Sequence, residues 1–314
     1  MKANAAIVIL LLAFPLLLTG MAPLDERLIK AAAVWGDEAV MRLLVEKDAK
    51  MGAKAKAGKA PLDVPRGKRE DSGGTVIGTV TYTGKAEEKE FPFLWFPNPK
   101  FCPKIGTDGH KPDLIKGDKR ILKRIDVGKD GALNAAVVAV TDIEDKAFLD
   151  GYKGTEVVTR FCEFLPYTGV VVNNQNFHVE NTDADPDDPK SVKGVLHNAH
   201  SYEWVKGRSS MRTIFNFAVP EKGSTLDKKV ILHQEDQGSF LRLQCDQHEW
   251  EQAFFLPVKN PHYGVAGADG SFTIENVPSG KHKVIAWHPF AGQVEAVVEV
   301  TDGATVTANF QIRK

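Results

Sequence analysis

At 314 residues, with 43% hydrophobic side chains and a formal charge of -1, the chain is long enough for two or three ordinary globular domains. That near-neutral balance offers no basic field to a phosphate backbone, so nucleic acid is not expected as a partner. The sequence also lacks a Gly-rich phosphate loop, a haem-attachment motif, a Gly-x-Ser-x-Gly elbow and a His-Glu-x-x-His pair, so it nominates no catalytic residue and no enzyme is expected.

The chain opens with Met1-Lys2-Ala3-Asn4, an apolar run from Ala5 to Leu18, and Thr19-Gly20-Met21-Ala22, which together have the form of a secretory signal peptide over residues 1–22. The run is too short to span a bilayer and Pro15 interrupts it. A periplasmic or secreted protein is expected, with membrane contact only through an uncleaved signal anchor. No Cys follows the run, so a lipoprotein is not indicated. Residues 24–63 carry helical periodicity, with Leu28, Ala31, Ala32, Val40, Leu43 and Leu44 on either side of Gly36, and continue to Gly58-Lys59-Ala60-Pro61-Leu62. This resembles one ankyrin helical hairpin followed by the opening of a second repeat. A single repeat cannot bury its apolar face, so the hairpin is expected to pack on the rest of the chain or on a partner. Residues 64–74, with Pro65, Gly73 and Gly74, read as a linker.

After the linker the pattern becomes that of strands. Runs at 76–82, 135–140, 170–172, 177–179, 213–219, 230–232 and 239–245 are short, rich in Val, Phe and Thr, and separated by Gly and Pro turns. Such spacing predicts a β-sandwich over 75–257. From residue 258 the pattern resets, with Asp269-Gly270 as a hairpin signal and further strands at 283–289 and 294–300. A second, smaller sandwich is expected over 258–314, short enough to borrow strands from the preceding region. The expected class is therefore mainly β, two sandwiches with an N-terminal helical hairpin.

The chemistry concentrates in Cys245-Asp246-Gln247-His248 and in His197-Asn198-Ala199-His200. A soft thiolate with imidazoles suits copper or zinc, and a trigonal His/His/Cys set with a weak fourth ligand is the arrangement of electron-transfer copper sites. Four closed ligands would instead suggest structural zinc. In the run 239–245, Leu241, Leu243 and Cys245 share one face, which is expected to be buried. His248 then lies on the following loop, able to turn back toward the thiol, while His197 must come from another strand. Three cysteines in an exported protein leave one over if two bridge, and a metal ligand accounts for it. With Cys245 as that ligand, Cys102 and Cys162 are free to form a disulfide worth roughly 3 to 5 kcal/mol, the alternative being two separate buried thiols.

Val179-Glu180-Asn181-Thr182-Asp183, Leu196 to His200, and Cys245 to His248 resemble the plastocyanin-like cupredoxins, in particular periplasmic members with a carboxypeptidase-regulatory-like domain; the resemblance runs over about residues 74 to 314. It implies a cupredoxin-like Greek-key sandwich followed by a prealbumin-like one. It also implies copper held by His197, Cys245 and His248, with Asn198 tying the ligand loops together and orienting His197. His200 falls outside that ligand set, and His248 would present the exposed imidazole edge through which electrons pass. The family commonly has Met after the ligand His; here Glu251 and Gln252 stand nearby, so Glu251 is the axial candidate, with Met211 a remote alternative and a solvated loop carboxylate the plainer reading of Glu251. An oxygen donor there would favour the oxidised ion and lower the potential. The implied function is a mononuclear copper-binding protein passing single electrons to a redox partner protein; the other class of reading is a non-redox binding, scaffold or copper-storage protein. Asp183 to Asp188 lacks the Gly and distal Glu of an EF-hand and reads as a solvated acidic loop. His178 and His233 read as structural, His288 as a packed turn residue, and His110 and His282 have no partner at useful spacing.

Overall fold

A strand covered on one face alternates apolar and polar residues, whereas one covered on both faces reads as an unbroken apolar run. Both kinds occur in this chain, and they set its layering. The computed structural model describes residues 73–106 and 114–313. The expected signal peptide, the ankyrin-like hairpin, nearly all of the linker and His110 lie outside the described residues.

The described chain is mainly β. In order it forms β1 (Gly74–Thr83), β2 (Glu87–Pro92), β3 (Ile115–Lys116), β4 (Lys119–Ile125), β5 (Val137–Val140) and the short helix α1 (Lys146–Gly151). There follow β6 (Thr155–Thr159), β7 (Phe164–Leu165), β8 (Thr168–Val171), β9 (Asn176–Glu180), β10 (His197–Val205), β11 (Arg212–Val219) and β12 (Thr225–Lys229). The last group is β13 (Ser239–Gln244), β14 (Gln252–Pro257), β15 (Tyr263–Val265), β16 (Ser271–Val277), β17 (Gly280–His288), β18 (Gly292–Val300), β19 (Thr305–Thr307) and β20 (Phe310–Arg313). Among the described residues no helix is long and apolar enough to cross a membrane.

One sandwich pairs the sheet β16-β1-β19, with β20 also on β1, against the sheet β15-β5-β17-β18. The strands β1 and β5, from the early part of the chain, thus complete a sandwich whose other strands lie beyond residue 262. In β1, Val76, Val80 and Tyr82 point into a core with Phe272, Ile274, Val284 and Val300. Gly78 is required by close approach, since a Cβ there would stand 1.8 Å from the Ala308 carbonyl oxygen. The Asp269-Gly270 turn does not make a hairpin: it joins β15, paired only with β5, to β16, paired with β1. Asp269 Oδ1 accepts from the Ser271 amide at 3.0 Å and from its hydroxyl at 2.7 Å, so the same turn residues serve a crossing between sheets.

The other sandwich pairs β11-β10-β13-β14-β8 with β12-β9-β6-β7 around Val157, Phe177, Val179, Ala199, Leu241, Leu243 and Phe255. A third apolar layer lies between the sandwiches. There Val137 and Ala139 of β5 meet Phe240, Phe254, Leu256 and Trp287. β5 and β14 are buried on both faces, which is why residues 137–140 and 253–256 are apolar without alternation. The run 230–232, expected as a strand, is not one. Val230 bonds the Asn174 and Gln175 backbone, but at Leu232 the Asn173 side chain intervenes, donating to the Leu232 carbonyl at 3.0 Å and accepting from the Leu232 amide at 2.8 Å, so the ladder does not continue.

A small sheet, β2-β4-β3, and the turn after it cover the end of this second sandwich. Its apolar side chains Phe91, Phe93, Phe101 and Leu122 cluster with Val195 and Trp250. Cys102 and Cys162 are joined by a disulfide inside that cluster, closing a separation of 60 residues.

Candidate metal centre

β10 and β13 are neighbouring antiparallel strands, so the start of one meets the end of the other. His197 is the first residue of β10, and Cys245 follows the last residue of β13. The loop after Cys245 closes on itself: the Cys245 amide donates to the Glu251 carbonyl and the Glu251 amide to the His248 carbonyl, each at 2.9 Å. This turn brings His248 and Glu251 back beside the thiol. Ligating atoms of His197, Cys245, His248 and Glu251 all lie within 4.8 Å of one another, and all four residues have no solvent exposure.

Glu251 Oε2 is the common partner, 2.8 Å from His197 Nδ1 and 3.3 Å from His248 Nδ1. His248 Nδ1 is also 3.7 Å from Cys245 Sγ. The sulfur accepts a further bond from the Asn198 amide at 3.4 Å. Two imidazoles thus aim the same nitrogen at one carboxylate oxygen. Burial pulls the His197 ring down, but the charge of Glu251 and hydrogen bonds to Asp183 and Cys245 outweigh it and hold the ring well above its ordinary value. Burial likewise pulls His248 down, and its bonds to Cys245 and Glu251 raise it to about 9. For Glu251 burial raises the carboxyl, yet the two imidazoles bring it down to about 2. Without a metal, then, protons on two rings face the buried carboxylates of Glu251 and Asp183.

The residues fit a cation. His197 Nδ1 faces Glu251 and His248 Nδ1 faces Cys245 with Glu251 beside it, and loss of the ring protons would leave two imidazole nitrogens, a sulfur and a carboxylate in one place. Glu251 Oε1 and His248 Nε2 are buried with no hydrogen-bond partner in the protein, so the cluster retains an oxygen that a bound group would satisfy.

Other expected residues fall elsewhere. His200 Nδ1 is 3.0 Å from Asp246 Oδ2, and the ring stacks on Tyr202 at 4.1 Å. Met211 is exposed, its sulfur accepting from Arg242 at 3.6 Å, and the Gln252 amide donates to the Glu249 carbonyl. Asn198 joins the loops through its main chain; its side chain turns away to Asn216 at 2.6 Å and does not orient His197. His178 pairs with Asp227 at 2.9 Å, and His282 lies 3.5 Å from Asp142. His248 has no exposed imidazole edge: Trp250 lies over it, ring centroids 5.4 Å apart, and the aromatic cluster covers Trp250.

Asp183 is the residue that the acidic-loop reading missed. It is buried, as is Asp185, so this end of the loop is not solvated. One Asp183 oxygen accepts from His197 Nε2 at 3.0 Å, while the Phe161 and Cys162 amides donate to the carboxylate at 2.7 and 2.9 Å. A carboxylate on the far nitrogen fixes ring orientation and raises ligand basicity. Asp185 is paired with Lys104 at 3.0 Å. The available signal was the placement of Asp183 at the end of Val179-Glu180-Asn181-Thr182-Asp183, the stretch in which Asn181 is wholly buried and donates to the Val195 and Val219 carbonyls.

No family model matches the chain, and no curated protein matches it. Among solved structures, it is similar to a purple cupredoxin from Nitrosopumilus maritimus at 12% identity and a TM-score of 0.24, over 33% of this chain and 98% of that one. It is also similar to a copper-containing nitrite reductase from Thermus scotoductus SA-01, at 8% identity and a TM-score of 0.24, over 34% of this chain and 23% of that one. A third likeness is to an oxidized mutant of amicyanin, at 10% identity and a TM-score of 0.23, over 38% of this chain and 89% of that one. The donor geometry, not these likenesses, supports the functional reading.

Proposed function

We propose that this is an exported mononuclear copper protein that passes single electrons to a redox partner, with His197, Cys245 and His248 as ligands and Glu251 as the fourth. The observation that carries the reading is the convergence of a sulfur, two imidazoles and a carboxylate in a site closed to solvent. A single thiolate with two imidazoles suits copper, and the ion would supply one-electron exchange between its cupric and cuprous states. The chain's own residues do the rest. Glu251 exchanges two protonated rings for a cation, so binding releases protons. Asp183 holds the His197 ring by its far nitrogen, and the Asn198 amide steadies the sulfur. Because the ligands sit at the ends of two paired strands and on a self-closed loop, they need move little when the charge changes.

Titration of purified protein with cupric ion tests this. An intense thiolate-to-copper visible band that bleaches with reductant and returns on oxidation is expected, as is its loss in Cys245→Ala. Tight copper binding without reversible bleaching would assign storage instead, and preference for zinc with no band would assign a structural metal.

A further inference from the structure

In a site where every donor is covered, electrons pass through the groups that cover it or along the backbone that carries it. On the His248 side the covering group is Trp250, whose indole N–H donates to the Cys162 carbonyl at 2.9 Å and is thereby fixed in orientation. The rings of Phe91, Phe93 and Phe96 pack edge-on against Trp250 at 5.9, 5.7 and 4.8 Å. Phe96 is half-buried and is bonded to Trp95, which is 78% exposed beside Leu94 at 79%. Among the described residues these two are the most exposed large apolar side chains. They occupy one three-residue turn, Phe93–Trp95, whose remaining member is buried against Trp250. Packing Phe93 inward explains the turn but not the two neighbours held in water, since adjacent exposed apolar residues of this size mark a contact surface.

We propose that electrons enter and leave the centre through Trp250 and Phe96, exchanging with an external one-electron donor at Trp95. The proposal rests on the electron-transfer reading and replaces the exposed imidazole edge expected from the sequence with a surface carried by residues 93–96. One electron leaves the donor, which is oxidised by one unit, and reduces cupric to cuprous ion; no bond forms or breaks. The rival route runs along the backbone from Cys245 to Asp246, which is partly exposed and paired with His200.

The test uses the full-length copper-loaded protein and a small inorganic one-electron reductant, following the bleaching of the thiolate band by stopped flow, with copper-dependent quenching of tryptophan emission as a second readout. Trp250→Leu and Trp95→Ser should each slow reduction several-fold with the band and copper affinity unchanged, and Trp250→Phe, which keeps a ring in place, should slow it less. The copper-dependent loss of emission should shrink in both Trp250 variants and persist in Trp95→Ser. If Trp250→Leu fails to fold, Trp95→Ser, at an exposed position, decides alone. Wild-type rates in every Trp variant that folds, or slowing confined to Asp246→Ala, would overturn the route while leaving the copper reading intact. Absence of any band in the unmodified protein would remove both.

Discussion

His288 in one sandwich and His248 in the other are both buried, yet their protonation is driven in opposite directions. The His288 ring accepts from the Phe290 and Ala291 amides through Nδ1, at 3.3 and 3.2 Å, and burial with nearby Lys206 brings it down to about 3. His248 is just as dry but shares Glu251 with His197, and it rises to about 9. Burial alone therefore marks a packed turn. A carboxylate taken out of water together with the rings instead keeps them protonated, and marks a cluster whose protons a cation could replace.

The largest effect that would break this contrast is expected from Glu251→Gln. Removing one partner of a buried charged cluster costs roughly 3 to 5 kcal/mol, so urea denaturation of the metal-free protein at neutral pH should show a loss of that size, and the His248 ring should titrate well below about 9. Unchanged stability would show that Glu251 does not neutralise the rings.

Next comes pH. His248 is raised from its ordinary 6.5, so its contribution to metal-free stability is full below 6.5 and is lost as pH rises through about 9. Glu251 is lowered from 4.5, so its contribution is full above 4.5 and is lost as pH falls toward about 2. His288, lowered from 6.5, runs opposite to His248: its contribution is full above 6.5 and is lost as pH falls toward about 3. Thermal melts should thus show the alkaline loss diminished in Glu251→Gln, where Asp183 and Cys245 still face the rings, and retained in full in a His288 variant. Metal affinity should climb with pH up to about 9, by roughly tenfold per unit for each proton displaced, as read by chelator competition.

A smaller effect is expected from Asp183→Asn, which should weaken metal binding roughly ten- to hundred-fold with the thiolate band still present, again measured against a competing chelator. Smallest at the centre is His288→Leu. It strands two amides and should cost about 1 to 3 kcal/mol on denaturation, with copper affinity equal to that of the unmodified protein.

Much of the centre was readable because Cys245, His248 and Glu251 fall within seven residues, and the alternation of Leu241, Leu243 and Cys245 turned one face inward. His197 entered through its resemblance to a motif; no spacing ties it to the loop. What escaped came from far along the chain. Asp183 looked solvated in an acidic run, because its burial depends on the Phe161 and Cys162 amides and on Lys104 holding its neighbour. The exposure of His248 was misjudged for the same reason: its cover is built from residues 91–102, an aromatic run with no periodicity to reveal what it packs against. Strand existence was legible where β-branched residues gathered between Gly and Pro turns, at 76–82 and 137–140. Sheet membership was not, since nothing local says that β1 pairs with β16.

That last pairing has a consequence for the order in which the chain can fold as it emerges from synthesis. β1 and β5 appear first and must wait for β16, β17 and β20, almost at the C-terminus, while the sandwich between them can close on its own strands. A nascent chain that has reached residue 257 therefore still carries Val76, Val80 and Tyr82 without their lid, apolar surface open to association until residues 271–313 follow.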